Sequence, residues 1–150
     1  MKKETFYLDT SIISAYSDTR EPEKMEQTRD FLNKAKNNEM FISMLVIEEI
    51  KGIKNTNRTK VTKDLLKNFY LLEYSEEIAE LAEIYLREEI IPINYDEDAL
   101  HIAYAVVNDI DILVSWNFIH IVKRNTRLKV NAVNELRDYR KIEIIAPIEY

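Results

Sequence analysis

The chain has 150 residues, 46% of them apolar and 32% charged, with a net charge of −6, one glycine and no cysteine. That is material for one domain with a substantial core, and it excludes disulfides, zinc–thiolate sites and glycine-rich phosphate loops, whose close backbone approach needs glycines. The acidic balance argues against broad electrostatic binding of nucleic acid, and with no apolar stretch of signal-peptide or membrane-span length the expected location is the cytoplasm, with no membrane partner.

Phe6-Tyr7-Leu8 is too short for a helix and reads as a strand buried in mid-sheet. Asp9 stands where it stops. In open α/β sheets ligands bind beyond the carboxyl ends of the strands, so Asp9 is either a site residue or, with Thr10 and Ser11, a cap for the next helix. Residues 12–16 form a short helical turn and 17–23 a loop. Met25, Thr28, Phe31, Leu32 and Ala35 recur at helical steps within 23–36. Residues 40–42 form a second strand. Ser43 is expected to cap a helix over Met44–Ile50, which Gly52 ends. Glu48 and Glu49 on that helix point about 100° apart.

Asn55-Thr56-Asn57 is read as a turn before a basic helix over 59–68 and a third strand over 69–72. Ser75 caps an amphipathic helix whose stripe of Ile78, Leu81, Ala82, Tyr85 and Leu86 is core. After Pro92, Asn94 and Glu97 have capping-box-like spacing. The helix over 95–108 is apolar almost all round and therefore central. Asp98 lies in its first turn, where an acid often only complements the helix dipole, and His101 lies one turn on, on the same face. Residues 108–111 turn and 112–114 form a fourth strand, ending in Ser115-Trp116-Asn117. A basic stretch (Lys123, Arg124, Arg127, Lys129), a helix over 133–140 and a fifth strand over 142–145 close the chain. Strands alternating with helices predict right-handed βαβ units and a mostly parallel sheet covered on both faces.

Asp9, Glu48 or Glu49, and Asp98 then fall on the carboxyl side of the sheet, with Asn117 after the fourth strand. Asp109 and Asp111 precede that strand and belong to the opposite end. Carboxylates crowded into one pocket cannot all ionise without a cation. Oxygen donors without cysteine suit Mg²⁺ or Mn²⁺, an ion able to activate water and stabilise charge on a phosphodiester.

Four segments carry a resemblance: Tyr7-Leu-Asp-Thr-Ser11, Ser43 followed by Glu49-Ile50, Asp98-Ala-Leu-His-Ile-Ala103, and Leu113-Val-Ser-Trp-Asn-Phe118 leading to His120-Ile121. In this order and spacing, over essentially the whole chain, the sequence resembles the PIN-domain family, and within it the VapC-like toxins of toxin–antitoxin pairs. The resemblance implies a three-layer α/β/α fold with a five-stranded sheet of order 3-2-1-4-5. It implies a metal-dependent endoribonuclease acting on RNA with Mg²⁺ or Mn²⁺, held in check by a small antitoxin that lays a segment over the acidic pocket. It selects Asp9, Glu49 and Asp98 as the matching acids. The family's usual fourth acid is Asn117 here, which implies one well-bound ion, with Asp96 or Glu97 as an auxiliary acid.

Thr10, Ser11 and Ser115 are expected to support the ligands, Ser11 alternatively as a cap. His101 is expected to be packed or hydrogen-bonded rather than a general base. Trp116 and His120 could stack on an unpaired base, Trp116 alternatively being core. Lys123 and Arg124 are candidates for phosphate contact, or a solvated face. A homodimer is compatible with nine tyrosines. The rival enzymes fit less well: a haloacid-dehalogenase-type phosphatase wants an acid where Ser11 stands, and a receiver domain wants a lysine where Ile145-Ala146-Pro147 offers none. The non-enzymatic alternative is a PIN-like domain, weakened at Asn117, that binds RNA or protein.

Overall fold

A computed structural model describes residues 2–150. Five strands, β1 (Thr5–Leu8), β2 (Glu39–Ser43), β3 (Tyr70–Leu72), β4 (Ile112–Val114) and β5 (Glu143–Ile145), pair in parallel in the order β3-β2-β1-β4-β5. The expected order holds. The central strand β1 sets Phe6 opposite Met40 and Ile112, and Leu8 opposite Val114.

Side chains alternate across a strand, and here both faces are covered. Tyr7, Leu113 and Ile144 enter one core with Ile78, Tyr85, Ile102 and Val130. Phe6, Leu8, Ile112, Val114 and Ile145 enter the other with Ile12, Phe31, Val46 and Leu65. The first core is roofed by α5 (Glu76–Arg87), α6 (Asp96–Val107) and α7 (Arg124–Leu136). The second is roofed by α1 (Thr10–Ala15), α2 (Pro22–Lys34), α3 (Met44–Ile50) and α4 (Thr56–Leu66). Burial on both faces explains why the strands read as short continuous apolar runs rather than alternating ones. No helix among the described residues is long and apolar enough to cross a membrane.

Several local expectations are corrected. The last helix does not run over 133–140: α7 begins at Arg124, within the basic stretch, and residues 138–140 lie beyond its end. Asn55 is not a free turn residue, because its side chain caps α4 by accepting from the Arg58 amide at 3.1 Å. Asn94 caps nothing; it lies in a 3₁₀ turn over Ile93–Tyr95 that leads into α6. Gly52 does not end α3 in a left-handed conformation, since no glycine has positive φ.

The left-handed positions belong instead to Glu89, Asp109 and Asp138, just past α5, α6 and α7. After each, the next amide reaches back five residues: Ile90 to Tyr85 O at 3.0 Å, Ile110 to Ala105 O at 3.0 Å, and Tyr139 to Asn134 O at 2.8 Å. This is the Schellman closure, usually made with glycine. Burying Ile90 and Ile110 in the core helps hold acidic residues in a conformation that otherwise costs them about 1 kcal/mol.

Candidate active site at the carboxyl edge of the sheet

Strand β1 ends at Leu8, and Asp9 follows in an extended conformation as the N-cap of α1. The two readings of Asp9 are both met. Its Oδ1 caps α1 by accepting from the Ser11 amide (3.1 Å) and hydroxyl (2.5 Å), while Oδ2 accepts from the Ser115 hydroxyl at 2.5 Å. Ser115 is in reach because β4 runs beside β1, with Leu8 opposite Val114. The same hydroxyls accept amides of the loop after β4: Ser11 Oγ from Trp116 at 2.8 Å and Ser115 Oγ from Asn117 at 2.9 Å. The two loops that border Asp9 are thus stitched together by its own ligands.

Asp9 is only 3% exposed. Burial pushes its carboxyl above the ordinary carboxylate range. Charge on His101, when protonated, and the hydroxyls of Ser11 and Ser115 pull the other way without prevailing. No arginine or lysine is bonded to it among the described residues.

A second carboxylate approaches from α3. Glu49 Oε1 accepts from Thr10 Oγ1 at 2.5 Å and lies 2.7 Å from His101 Nε2. Burial alone would raise its pKa; the bonds from His101 and Thr10, with charge on His101, outweigh that and hold it low. Glu48, its neighbour, turns outward to Lys51 at 3.0 Å. The fold therefore separates two residues that helix geometry alone left equivalent. Behind Glu49, His101 Nδ1 lies 2.7 Å from the Tyr7 hydroxyl, which lies 2.7 Å from Ser43 Oγ. Ser43 does occupy the N-cap position of α3, but it makes no cap bond, its hydroxyl facing Tyr7 instead.

The third carboxylate, Asp98, sits in the first turn of α6, where the helix dipole favours an acid. Its Oδ2 lies 2.9 Å from His120 Nδ1, and the His120 ring packs on Tyr95 at 4.1 Å between centroids. Asn117 Oδ1 accepts from the His120 amide at 2.9 Å, which fixes the turn that carries His120. Asp9, Ser115, Asn117, His120 and Asp98 thus form a continuous bonded path across the sheet edge. The chain has two histidines, and each faces a carboxylate here.

The family model of the PIN domain matches residues 6–127, which contain every residue of this edge. The chain belongs to the PIN-domain family. Its fold is similar to a chain of VapBC2 from Rickettsia felis bound to a DNA fragment from their promoter, at 18% identity and TM-score 0.57, over 95% of this chain and 98% of that one. It is also similar to a chain of a toxin–antitoxin complex from Klebsiella pneumoniae, at 23% identity and TM-score 0.59, over 76% of this chain and 88% of that one. A search of the curated proteins finds no match.

The other residues singled out from the sequence are spread around this PIN-domain edge. Trp116 is packed in the second core at 8% exposure, its indole N–H donating to Thr28 Oγ1 at 2.8 Å. Asp96 and Glu97 are exposed beside Asp98, Lys123 is half-buried at the start of α7, and Arg124 is exposed. Asp111 lies at the far end, bonded to the start of β1, as its place before β4 requires. Sequence reasoning passed over Tyr7. The available signal was a phenol inside a strand buried on both faces, where its hydroxyl needs a partner.

No group of three or more acids or histidines among the described residues stands arranged to enclose a metal ion. The donor chemistry nevertheless fits a hard divalent cation: the acids offer oxygen alone, and burial pushes the Asp9 carboxyl toward protonation, which a bound cation would oppose.

Proposed function

We propose that this PIN domain is a metal-dependent endoribonuclease, using Mg²⁺ or Mn²⁺, and that it is the VapC-like toxin of a toxin–antitoxin pair. The observation that carries the reading is Asp9 itself, a buried carboxylate with only amide and hydroxyl donors, standing at the carboxyl end of the central strand. Asp9, Glu49 and Asp98 would hold the ion. Bound there, the ion supplies charge stabilisation on the phosphodiester and eases deprotonation of a water. The chain's own residues do the rest. Ser11 and Ser115 aim the two Asp9 oxygens, Thr10 and His101 aim Glu49, and His120 holds Asp98 on the side of Asn117. The toxin assignment is supported by the neighbours, both of them toxin–antitoxin proteins, and a small antitoxin is the expected partner. Self-association as a homodimer belongs to the same reading.

Cleavage of structured RNA with Mn²⁺ tests the enzyme assignment, comparing wild type with Asp9→Asn. Cleavage by the wild type alone is expected; equal activity in both, or none with any divalent metal and substrate, overturns it. The toxin label stands on growth arrest upon expression, relieved by a small protein encoded beside this chain. A second reading, a binding module without catalysis, is favoured by one observation: Asn117 carries no charge, and its carbonyl oxygen accepts the His120 amide. RNA binding that survives Asp9→Asn, with no cleavage by either protein, is its signature.

A further inference from the structure

Tyr7, His101 and Ser43 lie behind Glu49, out of reach of any substrate, in a line of hydrogen bonds. The line follows from strand geometry. Tyr7 points to the α6 side of β1, since Phe6 and Leu8 point to the other side. Tyr7 pairs with Phe41 of β2, and Ser43, two residues on from Phe41, lies on that same face. The phenol therefore passes along β2 to meet Ser43 Oγ and, from α6, His101 Nδ1, each at 2.7 Å. All three residues are buried, and the His101 side chain is only 4% exposed.

A neutral imidazole carries its proton on one nitrogen, and the partner of the other nitrogen decides which. The Tyr7 hydroxyl has one proton to give and lone pairs that accept. If Ser43 donates to Tyr7 and Tyr7 donates to His101 Nδ1, the ring proton is left on Nε2. Nε2 lies 2.7 Å from Glu49 Oε1. A proton there is a donor that orients a carboxylate; a lone pair there repels it. When the ring is doubly protonated, Tyr7 accepts from Nδ1 and donates to Ser43, and Nε2 still presents N–H to Glu49. The phenol suits both states because a hydroxyl both donates and accepts.

We propose that Tyr7, backed by Ser43, is a positioning residue: by bonding His101 Nδ1 it holds the imidazole with Nε2–H toward Glu49 and thereby fixes the Glu49 carboxylate in the active site. Its catalytic consequence rests on the reading of Glu49 as a site acid; its consequence for the His101 ring does not. His120 is the internal contrast. Its Nδ1 faces Asp98 at 2.9 Å, so in its neutral form it carries the proton on Nδ1.

Two-bond ¹H–¹⁵N correlation spectra of the metal-free protein test this, raised to a pH at which both rings are neutral. Two histidines make the spectrum simple, and His120→Gln assigns it. The expected spectrum shows one Nε2–H ring, His101, and one Nδ1–H ring, His120. In Tyr7→Phe, a change that keeps ring volume, His101 stays Nε2–H against Glu49 but loses its partner on Nδ1, so its Nδ1 resonance moves toward that of an unbonded ring nitrogen while His120 does not change. In the RNA-cleavage assay Tyr7→Phe lowers kcat by about 10–100-fold with KM within about twofold of wild type, and Mn²⁺ affinity measured by electron paramagnetic resonance weakens in parallel. Ser43→Ala moves each quantity in the same direction by less. A wild-type His101 in the Nδ1–H form, or an Nδ1 resonance that does not move in Tyr7→Phe, overturns the proposal. So does unchanged turnover in Tyr7→Phe alongside an inactive Glu49→Gln. A fully active Glu49→Gln instead removes Glu49 from the catalytic reading, and the ring-nitrogen spectra still decide the role of Tyr7.

Discussion

Two aspartates mark the two ends of the central strands, and they differ in what they have found. Asp111, before β4, accepts from the Thr5 amide at 2.9 Å, from the Thr5 hydroxyl at 3.1 Å and from Arg140 at 3.0 Å. The backbone bond from Thr5 chiefly holds its carboxyl below the ordinary range, against a smaller opposing effect of burial and with the help of the Thr5 hydroxyl and Arg140. Asp9, at the other end, has only amide and hydroxyl donors, and burial pushes its pKa the opposite way. One acid ties β1 to β4 and is satisfied. Burial disfavours charge on the other, and no arginine or lysine is bonded to it among the described residues. A buried acid without a cation is poor structural material, and at a strand's carboxyl end it makes Asp9 a candidate site residue.

The contrast breaks most sharply under substitution. Asp9→Asn should lower Mn²⁺-dependent RNA cleavage on the order of a hundredfold or more, yet melt no lower than wild type, because it removes a carboxylate that burial disfavours. Asp111→Asn should do the reverse, cleaving RNA normally while losing about 1–2 kcal/mol. That is the low end for bonds to a charged group, since 36% of the Asp111 side chain remains in water. Cleavage rates and chemical denaturation on the two variants check this pair of outcomes. A destabilised Asp9→Asn, or an inactive Asp111→Asn, would erase the distinction between the two ends.

Metal addition should produce the next largest effect. Mn²⁺ at ten times its dissociation constant should stabilise the wild type by about 1.4 kcal/mol. It should leave Asp9→Asn unmoved, and a chelator should reverse the gain. Calorimetric melting with and without the ion reads it directly.

Acid titration sharpens the comparison, because the two shifts have opposite signs. Asp111, with its folded pKa lowered, contributes stability that is present above its unfolded pKa of about 3.9 and is lost as pH falls through the folded value. Asp9, with its folded pKa raised, costs stability above the folded value, and the cost is relieved as pH falls through it. Asp111→Asn should therefore flatten the acid limb of stability against pH. Asp9→Asn should steepen the loss on acidification, because the compensating gain is gone.

The smallest expected effect is at Ser115. Ser115→Ala removes one of the donors to Asp9 and an acceptor for the Asn117 amide. Stability should fall by about 1 kcal/mol, with a lower cleavage rate at unchanged fold, measured by denaturation and circular dichroism.

The sheet was legible from residues alone because its signal is local. Phe6-Tyr7-Leu8 and Ile112-Leu113-Val114 are short apolar runs covered on both faces, and the patterned helices between them force parallel crossovers. The end of β1 placed Asp9, and the start of a buried helix placed Asp98. Local reading failed where two nearby residues carried the same local signal. Glu48 and Glu49 have equal propensity and differ only in what α3 turns toward α1 and α6. Ser43 has the signal of a cap and occupies the cap position, but Tyr7 takes its hydroxyl. The start of α7 was missed because its first turns are basic and its apolar positions are few.

What the sequence determined by itself, then, is the order of strands and helices, and the acids that end on the carboxyl side of the sheet. Tertiary structure alone decided which donor each acid meets. Those bonds join residues far apart in the chain: 106 positions for Asp9 and Ser115, 52 for Glu49 and His101, 94 for Tyr7 and His101. A backbone pattern is set by neighbours within a turn or a strand. A hydrogen bond between side chains is set only when the sheet brings two distant segments to the same edge.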